Sequence, residues 1–163
     1  QVKVLKQSPS LLIANDAIEM FLLIQDNSAE DSLRVALQSY ATADLKLYQN
    51  KKEEALQLFL AILQKHKGES IEEGTLFKVG KIYEEKGDFN KALTYYQNIL
   101  DNHKDGIYKD EALYFSAEIY RKHLLDNEKA KALYEKVVLE HPDSLYYTES
   151  RKQYRTLRGD STI

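Results

Sequence analysis

Apolar and small residues return along this chain at a fixed long interval. Ala55, Ala92 and Ala130 are spaced 37 and 38 apart. Phe59, Tyr96 and Tyr134 keep that spacing, as do Ile62, Ile99 and Val137, and Leu63, Leu100 and Val138. A second ladder runs ahead of the first: Leu76 with Leu113, Phe77 with Tyr114, Gly80 with Ala117, Ile82 with Ile119 and Tyr83 with Tyr120, each 37 apart. Self-similarity at such a period marks a repeat architecture. The one extra residue falls between Tyr120 and Ala130, where EEKGDFNK becomes RKHLLDNEK.

Each unit reads as two helices. Leu76, Val79, Gly80 and Tyr83 fall at i, i+3, i+4 and i+7, and Ala92, Tyr96, Ile99 and Leu100 make a second such face. Gly87-Asp88 punctuates between them, glycine as a helix stop and aspartate as a cap. Ser70 with Glu73 predicts a capping box, and Ser28 with Asp31 a weaker one. Gly80 recurs as Ala117 inside a helical face. It is therefore read as a packing residue; a phosphate loop needs a preceding strand and glycines at a helix start. Upstream, helices are predicted at about Asn15–Gln25, Glu30–Gln49 and Lys52–Lys65, an odd number that breaks the alternation. Tyr83, Tyr96, Tyr120 and Tyr134 are expected in the core.

The order small–aromatic, turn glycine, then Ala–aromatic resembles the tetratricopeptide repeat. TLFKVGKIYEEKGDFNKALTYYQNIL matches best, and EALYFSAEIY…KAKALYEKVVLEHPDS nearly as well, with Pro142 where the family often ends its second helix. ATADLKLYQNKKEEALQLFLAIL is a weaker copy, with Asn50 for the turn glycine and Lys46 where Tyr83 and Tyr120 stand. The resemblance covers roughly Leu5 to Leu157. It implies an all-α fold, a right-handed α-α superhelix of antiparallel helix pairs. The whole chain is read as one such domain: 1–50 irregular helices, 51–142 regular repeats, 143–158 a polar closing helix, 159–163 a mobile tail. The period exceeds the family's usual 34. With the HPDS-type ending, this resembles modules of bacterial cell-envelope proteins, which favours envelope or periplasm over cytoplasm.

Composition narrows the partners. A net charge of −3 argues against nucleic acid, which selects basic surfaces. There are no cysteines, hence no disulfides or thiol chemistry. The run Leu11 to Ile24 is broken by Asn15, Asp16 and Glu19 and is too short to cross a bilayer. The chain starts at Gln1, in what reads as a helix end, so it is expected to be the C-terminal part of a longer bacterial protein. Self-association through an uncovered Val2, Leu5, Leu11 and Leu12 is expected.

His66, His103 and His141 recur at one repeat position, which places them a helix spacing of ~8–10 Å apart. Zinc ligands converge to ~2.1 Å from one ion, so these histidines are read as helix-end residues. Glu53-Glu54, Glu72-Glu73 and Glu84-Glu85 point about 100° apart in pairs and read as solvated faces. No catalytic constellation, metal site or cofactor site is found, and the chain is expected not to be an enzyme.

Phe77, Lys81 and Glu84 form a stripe at i, i+4, i+7, repeated by Tyr114, Glu118 and Arg121; Tyr40, Asp44 and Tyr48 offer a third copy. The resemblance puts this stripe on the first helices, which line the family's concave groove. Aromatic and mixed-charge positions there suit a peptide or partner helix. The alternative is that the aromatics close seams between repeats and the charges pair across them. The expected function is a protein-interaction scaffold; a spacer within a longer solenoid and an accessory domain of an enzyme or envelope assembly stand as alternatives.

Overall fold

Seven helices and no strand occur among the described residues, which are 31–103 and 105–160 of a computed structural model. They are α1 Asp31–Tyr48, α2 Lys52–Lys65, α3 Ile71–Glu85, α4 Phe89–Asn102, α5 Lys109–Lys122, α6 Asn127–Glu140 and α7 Tyr147–Arg158. The architecture is the expected all-α helical repeat. The predicted helix at Asn15–Gln25, the Ser28 cap and the apolar residues from Val2 to Leu12 lie outside the described residues. The chain divides into two compact units, Gln1–Thr75 and Leu76–Ile163.

In the first unit, α1 and α2 form a hairpin. Ala36, Ala43 and Ala55 are fully buried, and Tyr40 meets Phe59 edge to face at 5.2 Å. Asn50 makes the turn at φ +60°, a region asparagine tolerates, and the Lys51 N–H closes it onto the Lys46 carbonyl at 2.9 Å. Lys46, anomalous in the sequence, pairs with Glu54 at 2.7 Å.

The second unit contains α3 from Leu76 onward with α4, the α5–α6 pair and the closing helix. Its ladders are its core: Ala92, Tyr96, Ile99, Ala117, Ala130, Tyr134 and Val137 are fully buried. Gly80 sits where a Cβ would come within 2.5 Å of the Tyr96 ring. One repeat later Ala117 and Ala130 pack with Tyr134, and Tyr114, Tyr120, Leu133, Tyr154 and Leu157 close over them. Small and aromatic positions thus compensate, which lets the helices approach closely.

Both turns within these pairs use one cap. Asp88 accepts from the Lys91 N–H at 3.3 Å, and Asp126 from the Lys129 N–H at 3.1 Å. The Asp88 N–H closes its turn on the Tyr83 carbonyl, and the Asp126 N–H on that of Tyr120, both at 2.9 Å, although the second turn holds one residue more. The extra length puts Leu125 at φ +55°, where Gly87 has φ +77°. A side chain costs about 1–2 kcal/mol there.

Tyr83 and Tyr120 are half-buried rather than core. Lys91 Nζ lies 5.0 Å from the Tyr83 ring centroid and Lys129 Nζ 5.1 Å from that of Tyr120, each lysine also paired to the capping aspartate. The Lys46–Glu54 pair of the first unit occupies the matching positions, an ion pair in place of a cation–π contact. Gly159 caps α7 at φ +87°, and Asp160 binds Arg158, with its N–H on the Arg155 carbonyl at 3.0 Å. Residues 161–163 lie outside the described residues.

Candidate functional site

The stripe in the second unit is built by equal positions of α3 and α5, the first helices of their pairs. Its charges are swapped between repeats: Lys81 and Glu84 in α3, Glu118 and Arg121 in α5. Each acid meets a base three residues away, Lys81–Glu84 at 2.9 Å and Arg121–Glu118 at 3.2 Å. Each acid also accepts from the buried tyrosine of its own second helix, Tyr96 Oη to Glu84 at 2.8 Å and Tyr134 Oη to Glu118. Lys122 adds a further bond to Glu118, and Arg121 Nε donates to Tyr134 Oη at 3.2 Å. The pairs run within helices and not, as Lys81 with Glu118, across repeats.

Burial raises the Tyr96 and Tyr134 phenols well above their usual range, with the neighbouring carboxylates adding to it, so both hydroxyls remain donors. On Glu118 burial pushes upward, but the bonds from Lys122, Tyr134 and Arg121 together outweigh it and hold the carboxyl below its usual 4.5. The stabilisation from a depressed carboxyl is complete above 4.5 and lost as pH falls through the lower folded value. Glu118→Gln is expected to cost about 2 kcal/mol at pH 7, as for a hydrogen-bonded charge. Urea unfolding followed from pH 7 down to pH 3 should show the variant losing less stability than the parent below 4.5.

Phe77 is buried, not open to solvent, stacked on Tyr108 at 5.0 Å and 5.9 Å from both Tyr96 and Phe115. Tyr114 is half-buried, stacked on Tyr146 at 4.3 Å and edge-on to Phe115 at 5.3 Å. Lys81 Nζ lies 3.7 Å above the Phe115 ring. Glu118 is also buried. In the first unit Tyr40 is buried against Phe59, Asp44 is half-buried and Tyr48 is 90% exposed. The ring system therefore depends on Tyr108, Phe115 and Tyr146, which the stripe did not include. Tyr108 and Tyr146 carry a signal: with Ile71 they form a further ladder at 37 and 38, at the start of α3, α5 and α7. Phe115 has none, since Lys78 stands at its repeat position.

A cleft of about 670 Å³ lies on the other row of helices. The α4 wall carries Thr94, Gln97, Asn98, Asp101 and Asn102; the α6 wall carries Lys129, Ala132 and Lys136; Ser116 and Tyr120 of α5 form the floor, with Leu93 and Leu133 at its sides. The histidine ladder closes the second helices: His66, His103 and His141 cap α2, α4 and α6, each N–H bonding the carbonyl four residues back. Among the described residues no group of three potential metal ligands converges, and no helix is long and apolar enough to cross a membrane.

Helix pairs repeated in register, with small residues facing aromatics, define a helical-repeat protein. The model of one family, described as tetratricopeptide repeat, matches residues 75–106 and 111–144. These two stretches coincide with α3–α4 and α5–α6, so residues 75–144 carry two helix pairs of the tetratricopeptide-repeat type. A crystal structure of a tetratricopeptide repeat protein from Parabacteroides merdae is similar in fold, with a TM-score of 0.62 at 19% sequence identity over 97% of this chain. The match spans 57% of that protein's chain. A search of curated proteins finds no match. Repeats of this family generally mediate protein–protein interaction and are typically non-enzymatic.

Proposed function

We propose that this chain is a protein-binding scaffold that seats a partner segment on the first-helix face of its second unit. The observation that carries this is the layering of charge there. The carboxylates lie deeper, with side-chain exposures of 21% for Glu84 and 11% for Glu118, held inward by tyrosine hydroxyls. The cations lie further out, at 30% for Lys81, 27% for Arg121 and 52% for Lys122. Lys81, Glu84, Tyr114 and Arg121 are assigned to contact the partner, with Phe77 and Glu118 as the layer beneath them. In the first unit Asp44 and Tyr48 are assigned contacts and Tyr40 supports them. The scaffold acts by contact, and no catalytic step or cofactor is assigned to it.

A photo-crosslinking residue in place of Tyr114 is expected to trap one partner in source cells. Lys81→Glu with Arg121→Glu should abolish that adduct at temperatures where circular dichroism shows the double variant fully folded, because these half-buried cations set the register and selectivity of the partner. An adduct that survives the double reversal would remove this face from the assignment. The burial of Phe77 and the pairing of the stripe charges within their own helices favour a second reading, a spacer with no ligand of its own. On that reading position 114 traps nothing.

A further inference from the structure

We propose that the cleft between α4 and α6 is a separate binding site, on the second-helix face, for an extended peptide segment carrying an acidic side chain. Its α4 wall is made of amides bonded within the helix: Gln97 Nε2 donates to Asp101 Oδ1 at 2.8 Å, and Asn102 Nδ2 donates to Asn98 Oδ1 at 2.9 Å. This leaves Asn98 Nδ2 as a donor, and Gln97 Oε1 and Asn102 Oδ1 as acceptors. A peptide backbone offers the complement, a carbonyl and N–H groups along one edge. Asn98 and Asn102 are about 6 Å apart along α4, close to the ~6.6 Å two-residue repeat of an extended chain.

The opposite wall supplies the charge. Lys129 is committed to Asp126 at 3.0 Å and to the Tyr120 ring. Lys136 lies on the same stripe of α6, about 10 Å further on, and makes no ion pair among the described residues. With Lys129 held by Asp126, Lys136 faces the single aspartate of the cleft, Asp101, which already accepts from Gln97. A free cation beside an amide row, above a floor of Ser116 and the Tyr120 ring, selects a carboxylate on a peptide over a basic or neutral segment. Ala132 keeps the α6 wall low enough for a backbone to enter.

The probe is a pair of acetylated, amidated hexapeptide pools, one with glutamate fixed at the third position and the other with glutamine. They are titrated into the ¹⁵N-labelled chain by NMR. The side-chain NH₂ signals of Gln97, Asn98 and Asn102 should shift with the glutamate pool, at about threefold lower concentration than with the glutamine pool, the scale of an exposed ion pair. Lys136→Glu should remove that preference. Ala132→Phe, at an exposed helix position, should remove the shifts themselves. Lys81→Glu with Arg121→Glu should leave them unchanged, which keeps this site distinct from the first-helix face. The proposal is overturned by absent shifts, by equal response to both pools, by shifts confined to α3 and α5, or by the same shifts with sodium acetate alone.

Discussion

Replacing Gly80 by leucine is expected to lower the stability of the second unit by about 3 kcal/mol, at the upper end of the cost of overpacking. Even a bare Cβ at this position meets Tyr96 Cε1 at 2.5 Å and Cδ1 at 2.9 Å. The ring cannot swing aside cheaply, because Tyr96 is fully buried and its hydroxyl is held by Glu84. Displacing it would also strip a donor from a carboxylate, a further loss on the order of 1–3 kcal/mol if the group stays buried. The better helix propensity of leucine returns less than about 1 kcal/mol. Urea unfolding measures the difference. Combining Gly80→Leu with Tyr96→Ala should recover part of the loss, since neighbours that clash are not additive. An unchanged midpoint for the single variant would place Gly80 away from the helix crossing.

Phe77→Ala is expected to cost about 3–5 kcal/mol, the range for deleting a buried phenylalanine. The ring touches Tyr108, Tyr96 and Phe115, so its loss opens a hole bounded by three other aromatics. Tyr114→Ala should cost less, about 1–2 kcal/mol, because that ring is half-exposed and rests mainly on Tyr146 and Phe115. Thermal unfolding of the two variants side by side tests the ranking. The scaffold reading makes a second demand: partner adducts should be lost with Tyr114→Ala at temperatures where the variant is fully folded. A Phe77→Ala midpoint equal to the parent's would mean the ring is not sealed beneath Tyr108.

Helix pairing, the core ladders and the cap chemistry were legible in the residues alone. Ala92, Tyr96, Ala130 and Tyr134 could be assigned to the core because a small residue and an aromatic recurring on one helical face leave a single way to fill the space between helices. Gly87-Asp88 was legible for a related reason, since capping and turn chemistry are local. The histidines could be placed at helix ends because their period alone separates them by a helix spacing. Tyr83 and Tyr120 lie on the same faces, yet the lysines of the following helix cover them, so a core assignment from periodicity goes one turn too far.

Only tertiary structure decided the fate of the stripe. Phe77 stands one position beyond Leu76, about 100° around the helix, on a flank that can face either a groove or a seam. Which of the two it faces depends on Tyr108, and that side chain arrives from the loop before the next first helix. The swapped charges are similar. Lys81, Glu84, Glu118 and Arg121 read as facing a partner or pairing across repeats until the Tyr96 and Tyr134 hydroxyls are seen to reach the two carboxylates from the second helix of each pair. The cleft needs three helices at once: an amide row on α4, a lysine on α6 and a small floor residue on α5 share no period and no local motif. Repetition specifies what each helix buries against its own partner, because the same contact is made again every repeat. It does not specify what the flanks and outer rows meet, because those contacts come from non-equivalent residues brought together by packing.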